Sequence, residues 1–294
     1  MANTLINSEN KSLTWWPSPA KLNLFLHITG RNENGYHLLQ SLFQIVDVAD
    51  QLAFDINQTG SIELCTKMDD VPAEENLIVR AARLLQQHTA VSLGCRIWLQ
   101  KILPMGGGIG GGSSNAATTL LVLNQLWKTG LSHQQLAELG LQLGADVPIF
   151  IHGETAFAEG VGEKIIPAKL KEQWYLVVFP NCHVSTAAVF SDPELVRDTA
   201  KMQWCDYEFS KTRNDCQKLV CKRYPEVASL LHQLLEYAPS RMTGTGACVF
   251  SVFDNMEDAE KVKNILPKDY RGFVTKGVNR SPLHQALMDF KDKK

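Results

Sequence analysis

Six glycines occupy the seven positions from 106 to 112, directly before two serines and a stretch that predicts a helix. Glycine loses more backbone entropy on folding than any other residue, so such a run is costly unless its bare backbone is needed. Without Cβ atoms, backbone N–H groups can approach an anion closely, and the unpaired N–H groups and dipole of the following helix favour negative charge at the same place. The run therefore predicts a phosphate-binding loop rather than a flexible linker.

The residues around the glycines exclude or disfavour three known classes of phosphate-binding loop. A Walker A loop needs Lys after its last glycine, and this chain has Ser113 there. Gly106, Gly108 and Gly111 match a dinucleotide fingerprint, but the acidic residue expected about 20 positions further on is missing. A protein-kinase loop is disfavoured because the chain has neither H-R-D nor D-F-G.

Two further candidates for chemistry lie on predicted elements. Apolar residues alternate with polar ones from 20 to 28, which predicts a half-buried strand that ends at Gly30 and carries Lys21 and Asn23 on one face. An Asn34-Gly35 turn follows it. Asp146 directly precedes Val-Pro, a pair typical of a first helical turn.

The remaining elements position these residues. Period-two and apolar runs predict strands at 42–56, 95–102, 174–179, 247–253 and 272–278. Helical spacing predicts helices from Asn76 to 88, 115–127, 227–237 and 257–266, with a further helix that opens on a Ser132/Gln135 capping box and closes at Gly144. The glycine run thus lies between a strand and a helix. The mixture of strands and helices predicts an α+β fold.

Composition limits the partners of the chain. With 294 residues, two domains are expected, and the net charge of −2 provides no general field for nucleic acid or anionic lipid. No apolar run approaches the length of a membrane span, and the start of the chain has no signal-peptide core. The seven cysteines are scattered without a C-x-x-C pair, so reduced thiols and a cytoplasmic location are expected.

Three segments in chain order resemble the three motifs of the GHMP small-molecule kinases. Segment 17–24 (PSPAKLNL) resembles the amino-terminal motif, 104–117 (PMGGGIGGGSSNAA) the central one, and 243–249 (TGTGACV) the carboxyl-terminal glycine motif that folds against the phosphate loop. The resemblance implies an α+β, two-domain GHMP kinase fold. Its N-terminal, ATP-binding domain would span 1–160, and a ferredoxin-like C-terminal domain would span 161–294.

Agreement at four shorter segments is more specific. The segments at 20–23, 35–37, 143–148 and 160–163 resemble the branch of this superfamily that phosphorylates the 2-hydroxyl of 4-diphosphocytidyl-2-C-methyl-D-erythritol with ATP, in the methylerythritol phosphate route to isoprenoids. The similarity extends from about residue 16 to residue 287. ATP and Mg²⁺ are therefore the expected cofactors, and the expected protein is a monomer or weak homodimer that acts on a small molecule.

Catalytic and nucleotide-binding roles follow from the same resemblance. It implies that Asp146 takes the proton of the acceptor hydroxyl and that Lys21 is its charged partner. Because a carboxylate is a weak base, positioning and charge stabilisation must supply most of the acceleration in a loose phosphoryl-transfer transition state. The residues expected around ATP are Pro104, Met105, Gly106, Gly107, Gly108, Ile109, Gly110, Gly111, Gly112, Ser113, Ser114, Asn115, Asn76, Leu77 and Lys101, with the Ser114 hydroxyl near Mg²⁺ and no dedicated protein ligand for the metal.

The resemblance also implies a pocket for the base of the substrate. Tyr36 and Phe190 would sandwich the cytosine ring, and His37 would hydrogen-bond its polar edge. Asn23 and Thr186 would lie nearby. Where relatives commonly have Thr-Pro, this chain has Thr186-Ala187, which bears on the rigidity of that loop.

Other functions stay open at this point. Another GHMP kinase, acting on homoserine or a mevalonate derivative, would not need Tyr36-His37. A module that binds nucleotides without catalysis would keep the glycine loop, and a dinucleotide oxidoreductase would bind NAD tightly.

Overall fold

A computed structural model describes residues 13–33, 35–68, 71–162 and 164–292. Asn34, of the predicted turn, and Glu163, of the segment at 160–163, lie outside the described residues. The strands are β1 Trp15–Arg31, β2 His37–Asn57, β3 Ile62–Leu64, β4 Gly94–Gln100, β5 Ala156–Gly160, β6 Lys164–Pro167, β7 Trp174–Phe179, β8 Ser240–Met242, β9 Val249–Phe253 and β10 Arg271–Val278. The helices are α1 Leu77–Thr89, α2 Gly111–Leu126, α3 His133–Leu141, α4 Val147–His152, α5 Thr186–Ser191, α6 Gln217–Arg223, α7 Pro225–Leu235, α8 Met256–Ile265 and α9 Pro282–Asp292.

The long strand β2 organises the N-terminal half. It pairs antiparallel with β1, β4 and β5, and β3 joins β4 in parallel. Helices α1 and α2 pack against each other, and α2 also packs on β1. The last helix, α9, returns to this half, where the Phe290 ring meets the edge of Trp16 at 5.1 Å between centroids. The first core is therefore built from both ends of the chain.

The C-terminal half has its own antiparallel strands in the order β10-β7-β9-β8. Along the chain they run strand, helices, strand, strand, helix, strand, which is the element order of a ferredoxin-like unit. Strand β10 also pairs with β2 at Gly277 and Val278, so one sheet crosses both halves. The division of the chain at 160/161 stays a prediction.

Strand β1 differs from the sequence-based expectation. It runs from Trp15 to Arg31 rather than from 20 to 28, and it is buried on both faces rather than half-buried. Helices α2 and α9 cover β1 from the N-terminal half. From the C-terminal half, Arg241 donates to the carbonyl of Leu24, and Leu26 bridges to Asn214. Polar residues on its inner face, Lys21 among them, are thus enclosed rather than solvated.

The elements around the glycine run also begin and end at different residues from those predicted. Strand β4 stops at Gln100, not 102, because the N–H groups of Ile102 and Leu103 donate to the Asp50 carboxylate instead of to a strand. Helix α2 begins at Gly111, not 115, and its N-cap is Gly110 with a φ of 74°. Two of the glycines therefore belong to the first helical turn, whose N–H groups have no partner within the helix.

Two other local predictions are confirmed. Asn76 caps α1 by accepting from the N–H of Ile78, and Ser132 and Gln135 form the capping box of α3.

All seven cysteines are free. Among the described residues, the helices are all too short or too polar to cross a membrane.

Candidate active site

A cavity of about 550 Å³ lies where the glycine run, β1, β2 and α5 meet. Nearly all of the residues predicted for the site line it. They are Lys21, Asn23, Asn76, Leu77, Lys101, Pro104, Met105, Gly106, Gly107, Gly108, Ile109, Gly110, Gly111, Gly112, Ser113, Asn115, Asp146, Thr186 and Phe190. Ser114, Tyr36 and His37 are not among the lining residues. The volume is of the size usual for small-molecule sites.

Lys21 and Asp146 form an ion pair inside this cavity. The Lys21 Nζ lies 3.2 Å from Asp146 Oδ2, and the two side chains are 2% and 38% exposed. The same ammonium donates to Asn23 Oδ1 at 2.6 Å and to the carbonyl oxygen of Gly108 at 3.0 Å. All three ammonium protons thus have an acceptor, so the cation is fixed while the carboxylate remains open to the cavity.

The glycine run is held by its carbonyl groups. The N–H of Lys21 donates to Ile109 O, that of Ala247 to Gly106 O, and that of Cys248 to Gly107 O, at 3.0 to 3.3 Å. Since the N–H of a trans peptide points opposite to its carbonyl, this arrangement turns loop N–H groups toward the cavity. The arrangement can therefore receive phosphate oxygens at the N-terminus of α2.

The segment 243–246 packs against this run, as predicted. A Cβ at Gly108 would lie 2.4 Å from Thr243 O, and one at Gly244 would lie 2.8 Å from Gly108 O. The two backbones touch with no room for a side chain on either. Thr243 Oγ1 accepts the backbone N–H of Asn23 at 2.9 Å, which ties the contact to β1.

Asp50, on β2, is a functional candidate that sequence reasoning did not select. Its fully buried carboxylate accepts from Lys101 Nζ at 2.5 Å and from Asn115 Nδ2 at 3.0 Å, besides the N–H groups of Ile102 and Leu103. Two residues predicted to bind the nucleotide are therefore oriented by one carboxylate.

Ser114 does not take the position predicted for it. Its side chain is fully buried, and its Oγ accepts from Ser18 Oγ at 2.9 Å. On the helix, the neighbouring Ser113 lines the cavity instead. Of these two serines, Ser113 is therefore the one that can present its hydroxyl to a ligand in the cavity, whereas Ser114 Oγ is bonded in the core.

The residues predicted to hold the base differ in how far they are packed. Tyr36 is 67% exposed, whereas the ring that packs near Phe190 is that of His37, at 4.9 Å between centroids and an angle of 34°. His37 Nε2 accepts from Arg31 and Arg197, two residues that sequence reasoning did not select. Partial burial, followed by the charges of these two guanidinium groups, lowers the pKa of His37 below its usual value.

Thr186 lies at the edge of the cavity nearest the segment 243–246. Its Oγ1 is 2.8 Å from Thr245 Oγ1. Ala187, where relatives commonly have Pro, lies in the first turn of α5, which Ser185 caps by accepting the N–H of Ala188. The cap and the threonine contact fix this turn without the proline ring.

Comparisons with known proteins identify the family of the chain. The family models "GHMP kinases N terminal domain" and "GHMP kinases C terminal" match residues 76–154 and 187–272. A 4-diphosphocytidyl-2-C-methyl-D-erythritol kinase of Pseudoalteromonas atlantica is 61% identical over 278 residues, which cover 95% of this chain and 97% of that relative.

Solved structures show similar folds. A crystal structure of 4-(cytidine 5'-diphospho)-2C-methyl-D-erythritol kinase matches with a TM-score of 0.78 and 30% identity, over 90% of this chain and 100% of the other. The mevalonate kinase of Methanococcus jannaschii, at 18% identity and a TM-score of 0.64, covers 91% of this chain and 99% of its own. The latter is similar in fold alone.

The fold, the glycine run and both family models define a GHMP kinase, a phosphotransferase that uses ATP. Within that superfamily, identity of 61% over nearly the whole length decides the branch. The chain belongs to the family of 4-diphosphocytidyl-2-C-methyl-D-erythritol kinases.

Proposed function

We propose that this chain transfers the γ-phosphoryl group of ATP to the 2-hydroxyl of 4-diphosphocytidyl-2-C-methyl-D-erythritol, giving the 2-phosphate and ADP. The reaction belongs to the methylerythritol phosphate pathway of isoprenoid precursor biosynthesis. The observation that carries the proposal is the Lys21–Asp146 ion pair at the edge of the glycine run. A carboxylate beside a fixed cation at this point supports a site for an alcohol acceptor next to the phosphoryl donor.

The glycine run and the N-terminus of α2 bind the phosphates of ATP. The loop N–H groups and the helix dipole provide positive partial charge without side chains. Asn76, Leu77 and Lys101 line the part of the cavity assigned to the adenine, and Asn115 is assigned to the nucleotide. A preformed cradle of this kind holds the donor in place, which is the main contribution a protein makes to a loose phosphoryl transfer.

Asp146 and Lys21 act on the acceptor. The Asp146 carboxylate accepts the hydroxyl proton as the oxygen attacks, and the Lys21 ammonium stabilises negative charge on the transferring group. Lys21 is bound by Asn23 and by the Gly108 carbonyl, so it needs no reorganisation when charge develops. Its position between Asp146 and the loop couples the acceptor side to the donor side.

Mg²⁺ belongs to the proposal through the chemistry of ATP. In the described part of the chain there is no group of three or more His, Cys, Asp or Glu side chains that could hold a metal ion. In this proposal, the phosphate oxygens of ATP and waters supply most of the ligands of the cation. Ser113 and Asp146, which line the cavity, are the oxygen donors that would contact it. When bound, Mg²⁺ supplies charge neutralisation of the phosphates.

The remaining expectations about partners are also part of the proposal. The acceptor is a small molecule, with no nucleic-acid or membrane partner, and the protein acts in the cytoplasm as a monomer or weak homodimer.

The experiment is a phosphoryl-transfer assay of the wild type, Asp146→Asn and Lys21→Met with the cytidine substrate, ATP and Mg²⁺. Both variants are expected to lower kcat by about 100-fold to 10,000-fold, as loss of a general base or of a charge-stabilising group does. Asp258→Asn is the matched control because Asp258 is an exposed residue of the first turn of α8. ATP affinity, measured by calorimetry, is expected to stay within a few-fold for Asp146→Asn.

Near-normal turnover of Asp146→Asn would remove this carboxylate from the mechanism. Equal turnover of homoserine or a mevalonate derivative by the wild type would indicate another GHMP kinase. ATP binding without a phosphorylated product from any of these alcohols would indicate a binding module.

A further inference from the structure

Four residues from separate parts of the chain meet around Phe190, where the base of the substrate is expected to bind. This part of the cavity is its base end. Arg31 ends β1, His37 begins β2, Phe190 lies in α5, and Arg197 follows that helix. The Nε atoms of Arg31 and Arg197 each donate to His37 Nε2 at 3.0 Å. Both guanidinium groups also donate to the carbonyl oxygen of Phe190, at 3.4 Å from Arg31 and 3.0 Å from Arg197.

Two donors on one ring nitrogen determine where the imidazole carries its proton. A guanidinium has five N–H donors, no acceptor, and stays charged in proteins. Nε2 must therefore keep its lone pair, and a neutral imidazole then carries its hydrogen on Nδ1. A proton added to Nε2 would face two N–H groups and two positive charges.

We propose that Arg31 and Arg197 are positioning residues that hold His37 as the neutral Nδ1–H tautomer, so that His37 offers a hydrogen-bond donor to the base of the substrate. This inference rests on the proposed function. The Arg197 side chain is held more firmly than that of Arg31, because it also donates to the carbonyl oxygens of Asp192 and Leu195 at 2.7 and 2.8 Å. Arg31 is exposed and has the longer contact with Phe190.

The consequence concerns which base is accepted. Cytosine presents acceptors at N3 and O2 and a donor at N4, whereas uracil carries a hydrogen on N3. An Nδ1–H donor matches cytosine N3 and opposes the N3–H of uracil. With the other tautomer, the Nδ1 lone pair would accept the uracil hydrogen. The two arginines would thus select cytidine over uridine without touching either base.

The first test is ¹⁵N NMR of the His37 imidazole in the ligand-free protein, wild type and the Arg31→Met, Arg197→Met double variant. In the wild type we expect the ¹⁵N shifts of a protonated Nδ1 and an unprotonated Nε2, with titration below the ordinary histidine value. In the double variant we expect a tautomer mixture and a pKa of His37 that is higher than in the wild type, because both opposing charges are gone while the effect of burial remains. An unprotonated Nδ1 in the wild type would overturn the proposal, whatever the activity is.

The second test is steady-state kinetics with the cytidine substrate and its uridine analogue. The double variant should raise KM for the cytidine substrate several-fold at pH 8 with kcat little changed, and lower the preference for cytidine by about tenfold. Lowering the pH to 6 should reverse part of the KM increase, since a protonated His37 again donates from Nδ1. Burial lowers the pKa of His37 most, and the charges of Arg31 and Arg197 lower it further, so removal of both arginines raises the pKa while the effect of burial stays.

Two further variants keep the test decisive. Arg31→Met changes an exposed residue, so it reports a partial effect even if the double variant is poorly folded. Arg223→Met is the matched control, because Arg223 contacts Asp192 and Glu194 without reaching His37. The inference would be contradicted if the folded double variant kept the wild-type preference for cytidine and the wild-type pH dependence. If the double variant does not fold, the same result in Arg31→Met would contradict it. Absence of turnover in the wild type would instead contradict the proposed function and leave the NMR result to decide the tautomer.

Discussion

The two ends of the cavity differ in the kind of group that forms them. The phosphate end lies at the glycine run, and the base end lies at Phe190. The phosphate end is formed mainly by backbone groups. The carbonyl oxygens of residues 106 to 109 accept hydrogen bonds from Lys21, Thr243, Ala247 and Cys248. At the base end, side chains from distant segments meet, with His37 between two arginines and Phe190 beside it.

The difference shows how much each end must adjust to its ligand. The phosphate end is already closed against the segment 243–246, at distances that leave no space for a Cβ. At the base end Tyr36 is 67% exposed, so little packing fixes the position of its ring. Every ATP carries the same phosphates, so a rigid backbone cradle suffices for them, whereas recognition of one base requires side chains with specific donors.

Among the variants that compare the two ends of the cavity, the largest effect is expected for Gly108→Ala at the phosphate end. The new Cβ would lie 2.4 Å from Thr243 O at a φ of 73°, so the loop must move away from the segment 243–246. A displacement of about 1 Å can cost roughly 100-fold in rate, and we expect a loss of that size in kcat/KM for ATP. The measurement is steady-state kinetics beside thermal unfolding.

Gly130→Ala separates backbone strain from the loss of this contact. Gly130 has nearly the same φ, 74°, and nothing lies within 4 Å of a Cβ there. It should show a similar strain of about 1 kcal/mol and full activity. Equal loss of activity in both variants would mean that the close approach of the two loops does not matter.

A smaller effect on activity is expected for Asp50→Asn, which tests whether side chains also matter at the phosphate end. The variant removes the charge that orients Lys101 and Asn115, so KM for ATP should rise about tenfold with little change in kcat. Breaking a buried pair should also lower the free energy of unfolding by about 3 kcal/mol.

Asp55→Asn, on the same strand, is the control for Asp50→Asn. Asp55 pairs with Arg96 at the partly exposed surface, so the change should cost at most about 1 kcal/mol. If Asp50→Asn left KM for ATP unchanged, Asp50 would be a purely structural residue.

Tyr36→Ala at the base end is expected to change binding of the cytidine substrate and nothing else, so its total effect is the smallest. Loss of one stacking partner should raise KM for the cytidine substrate by about tenfold and leave KM for ATP and the free energy of unfolding unchanged, since the ring is exposed in the ligand-free protein. Tyr237→Ala removes an exposed ring elsewhere and should change nothing. An unaltered KM in Tyr36→Ala would rule out the sandwich.

Sequence reasoning was accurate where neighbours in the chain decide the structure. The Asn76 cap and the Ser132/Gln135 capping box depend on residues within three positions. The strand that carries Lys21 and Asn23 on one face was predicted as well, and the two side chains hydrogen-bond to each other. The prediction that β1 is half-buried was wrong. Period-two alternation cannot show that residues from the C-terminal half cover the polar face of the strand.

Residues that act through distant partners could not be found in this way. Lys101 and Asp50 are 51 positions apart, and Arg197 and His37 are 160 apart. Neither Asp50 nor Arg197 lies in one of the motifs, and the strand pattern at 42–56 does not distinguish Asp50 from its neighbours. Their roles depend on β2 lying beside both β1 and β4 and on α5 lying beside the β1–β2 connection.

The amino-acid sequence by itself determined the glycine run, its place between a strand and a helix, and the order of three motifs that marks a GHMP kinase. Backbone freedom and capping are local properties, so they can be read from a few adjacent residues. The tertiary structure alone decided that Ser113 rather than Ser114 reaches the cavity, that Asp50 orients Lys101, and that two arginines face one nitrogen of His37. Those facts depend on how whole strands and helices pack, because a hydrogen bond between remote side chains exists only after the chain has brought their backbones together.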